Sequence, residues 1–187
     1  MKTIILLTFF GILGCIFCHV PTGPQGCRDV YDQAASDFKL DQFYKGSWYV
    51  TYAKYRNHTT LCTKFDMTSK PLQIKFDQDT LKVTCEGKVE QGARHTDYKC
   101  KISGESSTQY PGYESIVSVV DSDYKDYATV YTCMKTANHE DNFYVLSRTP
   151  GGVTPEAAKK SLQKLGEDFG KFVLVPCIQV QVINLKV

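Results

Sequence analysis

The side chains best suited to metal, redox or nucleophilic chemistry here are eight cysteines and four histidines. A zinc site needs thiolates and imidazoles gathered at short spacings, such as two Cys-x-x-Cys knuckles or one knuckle with a His-x-x-x-His. Only Cys15 and Cys18 stand at that spacing, inside an apolar run with no second knuckle. The histidines, His19, His58, His95 and His139, are scattered, and none lies within an apolar strand. There is no Gly-x-Ser-x-Gly, no His-Glu-x-x-His, and no free cysteine beside a plausible base. The sequence therefore shows no enzymatic constellation and no metal site.

The cysteines point to a different use. Lys2 is followed by Ile4, Ile5, Leu6, Leu7, Phe9, Phe10, Ile12 and Leu13, and the run ends in the polar turn His19-Val20-Pro21-Thr22-Gly23-Pro24. One positive charge, a short apolar core and an abrupt end make a secretory signal peptide over residues 1–18, cut near Cys18 and His19. A spanning helix needs ~20 apolar residues, which this run does not reach. The tail Leu13-Gly14-Cys15 also fits a bacterial lipobox, a reading outweighed by the disulfide-rich remainder. Removal of Cys15 and Cys18 leaves six cysteines: Cys27, Cys62, Cys85, Cys100, Cys133 and Cys177. In a secreted, extracellular chain an even set implies disulfides, with fifteen possible connectivities. The one sequon, Asn57-His58-Thr59, places a glycosylation site on an exposed loop.

What must position these residues is a β-structure. The chain has 187 residues, with 42% hydrophobic and 22% charged, which suits one folded domain rather than a disordered chain. A net charge of +2 leaves no electrostatic footprint for nucleic acid. Twelve Tyr and ten Phe favour strands. Short alternating segments recur at 48–55, 62–67, 72–76, 81–86, 98–102, 115–120, 128–134 and 143–148. Turn residues separate them, as in Asp77-Gln78-Asp79, Glu86-Gly87 and Tyr110-Pro111-Gly112. Eight such strands close an antiparallel up-and-down barrel around one small ligand or a packed filling.

Downstream, Pro150-Gly151-Gly152 breaks the pattern and Thr154-Pro155-Glu156 starts a helix. Ala158, Leu162, Leu165 and Phe169 recur at helical spacing as a stripe packed outside the barrel, and Gly170 ends it. Extended segments follow at 172–175 and around Ile178, Val180 and Val182. A short helix is expected at 29–38, before the first strand. Residues 19–187 form a single domain.

Gly46-Ser47-Trp48 matches the Gly-x-Trp that opens the first strand of lipocalins. Ser122-Asp123-Tyr124 is similar to their second motif, and Arg148 stands where the family places the arginine of its third. Asp37-Phe38, Phe43-Tyr44-Lys45-Gly46-Ser47-Trp48-Tyr49 and Tyr144-Val145-Leu146-Ser147-Arg148-Thr149 narrow the resemblance to the triabin and nitrophorin group of salivary lipocalins from blood-feeding bugs. It covers residue 29 to about residue 177. The resemblance implies a barrel plugged by Trp48 and Arg148, with Gly46 at the plug, and the disulfides Cys27–Cys133, Cys62–Cys177 and Cys85–Cys100. The last also suits cysteines on two consecutive strands.

The group contains haem-based nitric-oxide carriers, scavengers of small mediators and inhibitors of clotting proteases. At the position that best matches the haem-ligating histidine this sequence has Lys75, so no haem and no other cofactor is expected. The resemblance then implies a monomeric scavenger of a host amine, nucleotide or eicosanoid, opposing haemostasis or platelet aggregation. A surface inhibitor of a clotting or contact-phase protease is the alternative. With Cys133 outside the barrel, strand parity turns Val130, Thr132 and Met134 inward. Val50 and Tyr52 share the face of Trp48, and Tyr144 and Leu146 that of Arg148. These seven residues are the expected ligand lining. An amine would also need a carboxylate at the mouth, for which Glu114, Glu140 and Asp141 are candidates by loop position.

Overall fold

The computed structural model describes residues 26–30, 32, 34–55, 62–89, 94–104, 112–135, 141–152 and 156–177. The expected signal peptide, the Asn57 sequon, the Thr154-Pro155 helix start and the segment beyond Cys177 lie outside them. A short helix α1 (Leu40–Phe43) precedes eight antiparallel strands. These are β1 (Gly46–Ala53), β2 (Lys64–Ser69), β3 (Leu72–Gln78), β4 (Leu81–Lys88), β5 (Thr96–Ser103), β6 (Tyr113–Ser122), β7 (Tyr127–Met134) and β8 (Asp141–Ser147). Helix α2 (Glu156–Lys164), a 3-10 turn (Phe169–Lys171) and a two-residue strand β9 (Val173–Leu174) complete the chain.

Each strand pairs with the next, β8 returns to β1, and β1 pairs with β2, so the sheet closes into a barrel. The closure is shared along β1. Its first half pairs with β2 through Gly46↔Met67 to Tyr49↔Lys64, and its second half with β9 through Tyr52↔Leu174 and Ala53↔Val173. The Cys62–Cys177 disulfide joins the chain just before β2 to the chain just after β9, across the place where they part.

Two kinds of strand make the wall, and their sequences differ accordingly. From β2 to β5 buried and exposed positions alternate, as in Leu72-Gln73-Ile74-Lys75-Phe76-Asp77, because the outer face meets water. β7 and β8 are buried on both faces. Their outer face carries Tyr131, Cys133, Phe143 and Val145 against Cys27, Val30, Ala158 and Leu162, which the N-terminal segment and α2 supply. The Cys27–Cys133 disulfide fastens that segment down. Leu162 is fully buried there, which contributes about 1.5–3 kcal/mol.

Three expectations need correction. The helix expected at 29–38 is not where α1 forms. Ala34 N–H closes one helical turn on the Val30 carbonyl, but Ala35 N–H then bonds the Val119 carbonyl on β6, which spends the next donor outside any helix. Helix α2 stops at Lys164, six residues before Gly170. Gly166 has φ +73°, and Glu167 N–H bonds back to the Leu162 carbonyl, a left-handed glycine stop. Third, Tyr52 does not share the face of Trp48. Register shifts between Val50↔Leu146 and Tyr52↔Val145, so a bulge at Thr51 turns Tyr52 outward, against Phe169 with ring centroids 5.0 Å apart.

Candidate functional site: the barrel cavity

Successive strands turn every second side chain inward, and the barrel is wide enough that these do not fill it. A cavity of about 480 Å³ remains, within the range of ~300–1,000 Å³ usual for small-ligand pockets. Below it the closed end is solid. Trp48 is fully buried beneath Arg148 and beside Phe43, with Val50 at the same level. Gly46 enters β1 at φ +80°, a left-handed backbone that glycine adopts without the strain a side chain would bring.

The lower wall is apolar. Phe65 and Met67 come from β2, Ile74 and Phe76 from β3, Val117 from β6, Val130 from β7 and Leu146 from β8. Phe65 and Phe76 meet edge-on at 5.2 Å. Cys85 also faces the cavity, bonded to Cys100 directly opposite it. Tyr98 lies across from Gly87, and a Cβ on Gly87 would come within 2.7 Å of its ring, so the glycine makes room for the tyrosine. The Tyr98 hydroxyl is buried without a well-placed hydrogen-bond partner. Burial raises its pKa, as it does for Tyr44, so both phenols stay neutral.

The upper wall carries the polar groups: Tyr113 and Ser115 on β6, Thr132 on β7, Asn142 and Tyr144 on β8, and Tyr55 beyond β1. Asn142 replaces a strand partner. Its Oδ1 accepts from Tyr55 N–H at 3.1 Å, and its Nδ2 donates to the Tyr55 carbonyl at 2.9 Å. Nδ2 also lies 3.4 Å from the Tyr144 hydroxyl. Burial, then the nearby Tyr144, pushes the Tyr113 phenol up to about 12, so it remains a proton donor.

Of the seven residues expected to line the cavity, the structure brings five to its wall: Val130, Thr132, Met134, Tyr144 and Leu146. Val50 packs below the cavity, and Tyr52 is outside. Lys75 is exposed on the outer face of β3, between the inward Ile74 and Phe76. The contributions of β2 to β6 were open to the same parity argument, since Phe65, Met67, Ile74, Phe76 and Tyr98 all sit at alternate positions. No lining residue among those described is a histidine or a free thiol. No three metal-ligating side chains gather among the described residues either.

Residues 18–161 match the family model described as Triabin. Procalin of Hospesneotomae protracta is 30% identical over 180 residues, covering 88% of this chain and 96% of procalin. Dimiconin of Triatoma dimidiata is 32% identical over 161 residues, covering 79% of this chain and 78% of dimiconin. Among solved structures, a variant of LTBP1 in complex with leukotriene C4 superposes with a TM-score of 0.71 at 25% identity, covering 84% of this chain and 99% of LTBP1.

Proposed function

The chain belongs to the Triabin family, and from that premise we propose that it is secreted and sequesters a small host mediator of haemostasis or inflammation in its barrel. The single observation that carries this reading is the mostly apolar cavity of about 480 Å³ inside the barrel, with hydroxyl and amide groups at one end. Its likeness to a leukotriene-binding structure supports the same use of the barrel. Three disulfides support an oxidising, extracellular setting.

Sequestration needs no turnover. One chain holds one molecule, and the effect scales with the dose of protein. A Kd near 1 μM corresponds to about −8 kcal/mol, within reach of a drug-sized ligand buried in such a cavity. The protein acts as a monomer without haem or metal.

The test is to fill the cavity. Val130→Trp or Thr132→Trp should abolish binding in native mass spectrometry against a panel of amines, nucleotides and eicosanoids. Circular dichroism and disulfide mapping should remain those of the parent. A correctly folded variant that still blocked platelet or clotting responses at the parent dose would sink this reading and put a surface-bound protease in its place.

A further inference from the structure

A cationic ligand needs a carboxylate where its charge comes to rest, because burying an unpaired ammonium is costly. Of the three carboxylates expected at the mouth, Glu140 lies outside the described residues and the other two are committed elsewhere. Glu114 is exposed on β6 and pairs with Lys99 at 3.6 Å. Asp141 contributes to the cavity lining, yet its carboxylate is held by the outer wall. Arg28 Nε lies 2.9 Å from Asp141 Oδ2, and the Tyr131 hydroxyl donates to the same oxygen at 3.4 Å. Arg28 is itself fixed from three sides. Its side chain bonds Glu167, its N–H donates to the Tyr131 hydroxyl at 2.8 Å, and Cys27 before it is bonded to Cys133. Glu167 also receives Lys54 at 2.8 Å, so the cluster holds two cations and two anions. Asp141 is therefore neutralised at a well-anchored site.

Among the described residues, the other inward groups at that level are neutral. Tyr113 and Tyr144 offer phenols, Thr132 a hydroxyl, and Asn142 is occupied in holding Tyr55. Phenol and hydroxyl donors suit an acceptor oxygen, and a carboxylate among them gains charge-assisted hydrogen bonds. Beneath them the wall is mostly apolar, with the Tyr98 hydroxyl as its polar group and the Cys85–Cys100 disulfide beside Tyr113, and it suits a hydrocarbon tail.

We propose, resting on the reading of the cavity as a ligand site, that Arg28 takes Asp141 out of play. The mouth then acts as a hydroxyl collar that selects an acyl chain with an oxygenated, uncharged or anionic end over ammonium-bearing ligands. The chain enters tail first, and its oxygenated end stops at Tyr113, Tyr144 and Thr132.

The test uses the disulfide-bonded protein and three probes: arachidonic acid, tryptamine and adenosine diphosphate, each titrated by calorimetry. Arachidonic acid should bind one-to-one, at least about 30-fold tighter than either other probe. Tyr144→Phe and Tyr113→Phe, which keep the ring, should each weaken it about tenfold, while binding of its methyl ester changes less than about twofold. Unchanged thermal unfolding separates this effect from loss of packing. Tryptamine or the nucleotide binding as tightly as the acid overturns the proposal and leaves the cavity reading intact. Equal loss of acid and ester in the Phe variants also overturns the collar. Failure of all three probes to bind removes both the selectivity and the reading beneath it.

Discussion

Trp48 and Arg148 share a hydrogen-bond acceptor. The indole Nε1 donates to the Phe43 carbonyl at 2.9 Å, and Arg148 Nη2 reaches the same oxygen at 3.3 Å while the guanidinium lies 3.6 Å from the indole centroid. The arginine also donates to the carbonyls of Lys45, Ser47, Gln42 and Tyr124, at 2.8, 3.0, 3.1 and 3.4 Å. One side chain thus ties α1, the start of β1 and the β6–β7 turn to the end of β8. It closes the end of the barrel opposite the mouth.

Arg148→Ala should therefore cost about 3 kcal/mol, since hydrogen bonds from a charged donor contribute ~1.5–3 kcal/mol and are not additive within one network. Arg148→Lys should recover less than half, because an ammonium cannot fork to several carbonyls while stacking on the indole. Urea unfolding followed by the fluorescence of Trp48, the only tryptophan, measures both. A loss below about 1 kcal/mol for the alanine variant would mean that the plug is not what holds this end together.

The barrel was legible because its signals are local. Alternation in β2 to β5 follows from one wet and one dry face, and it can be read from six residues at a time. The face of Tyr52 was not legible. Thr51 gives its Oγ1 hydrogen to the Val145 carbonyl at 3.0 Å and accepts Val175 N–H on its own carbonyl at 2.8 Å. The bulge there depends on β8 and on the chain beyond β9, which are about 94 and 124 positions away in sequence, and parity along β1 alone cannot see it. The collar was half legible. Thr132 and Tyr144 followed from parity, whereas the outward commitment of Asp141 required knowing that Arg28 crosses the wall beside it. The cysteine pairing came from family likeness, since six cysteines alone leave fifteen connectivities open.

Tyr52 separates packing from binding. Tyr52→Ala removes the contact with Phe169 and should cost about 2 kcal/mol, below the ~3–5 kcal/mol of a fully buried aromatic because Tyr52 is only partly covered. Affinity for whichever probe binds the cavity should change less than about twofold. A tenfold loss of affinity in a folded Tyr52→Ala variant would return this residue to the lining.

The disulfides should differ in weight according to the loops they close. Cys85 and Cys100 are 15 residues apart, for which constraint of the unfolded chain gives about 3 kcal/mol. Cys62 and Cys177 are 115 apart, which raises the figure to about 4.7 kcal/mol. Paired Cys→Ser variants compared by urea unfolding should keep that order. The reverse order would show that lost packing around Cys85, inside the barrel, outweighs loop length.

Alkaline pH should unfold this protein through its tyrosines. Burial raises the pKa of Tyr44, Tyr98, Tyr127 and Tyr131, and puts that of Tyr113 at about 12 against an ordinary 10.0. Above pH 10 the unfolded chain releases phenolic protons that the folded chain still holds, so the folded state binds more protons and stability must fall as pH rises. The contribution is fully present below pH 10 and is lost as pH climbs through about 12 for Tyr113. Each group adds at most ~1.4 kcal/mol of slope per pH unit, so several acting together make a steep decline. Urea midpoints should be flat from about pH 7 to 9 and drop sharply beyond pH 10, with tyrosinate absorbance rising in step with unfolding. Tyr113→Phe should make the decline shallower by about one proton. Full, reversible ionisation of all twelve tyrosines near pH 10 with the barrel intact would contradict the burial that defines both the plug and the cavity wall.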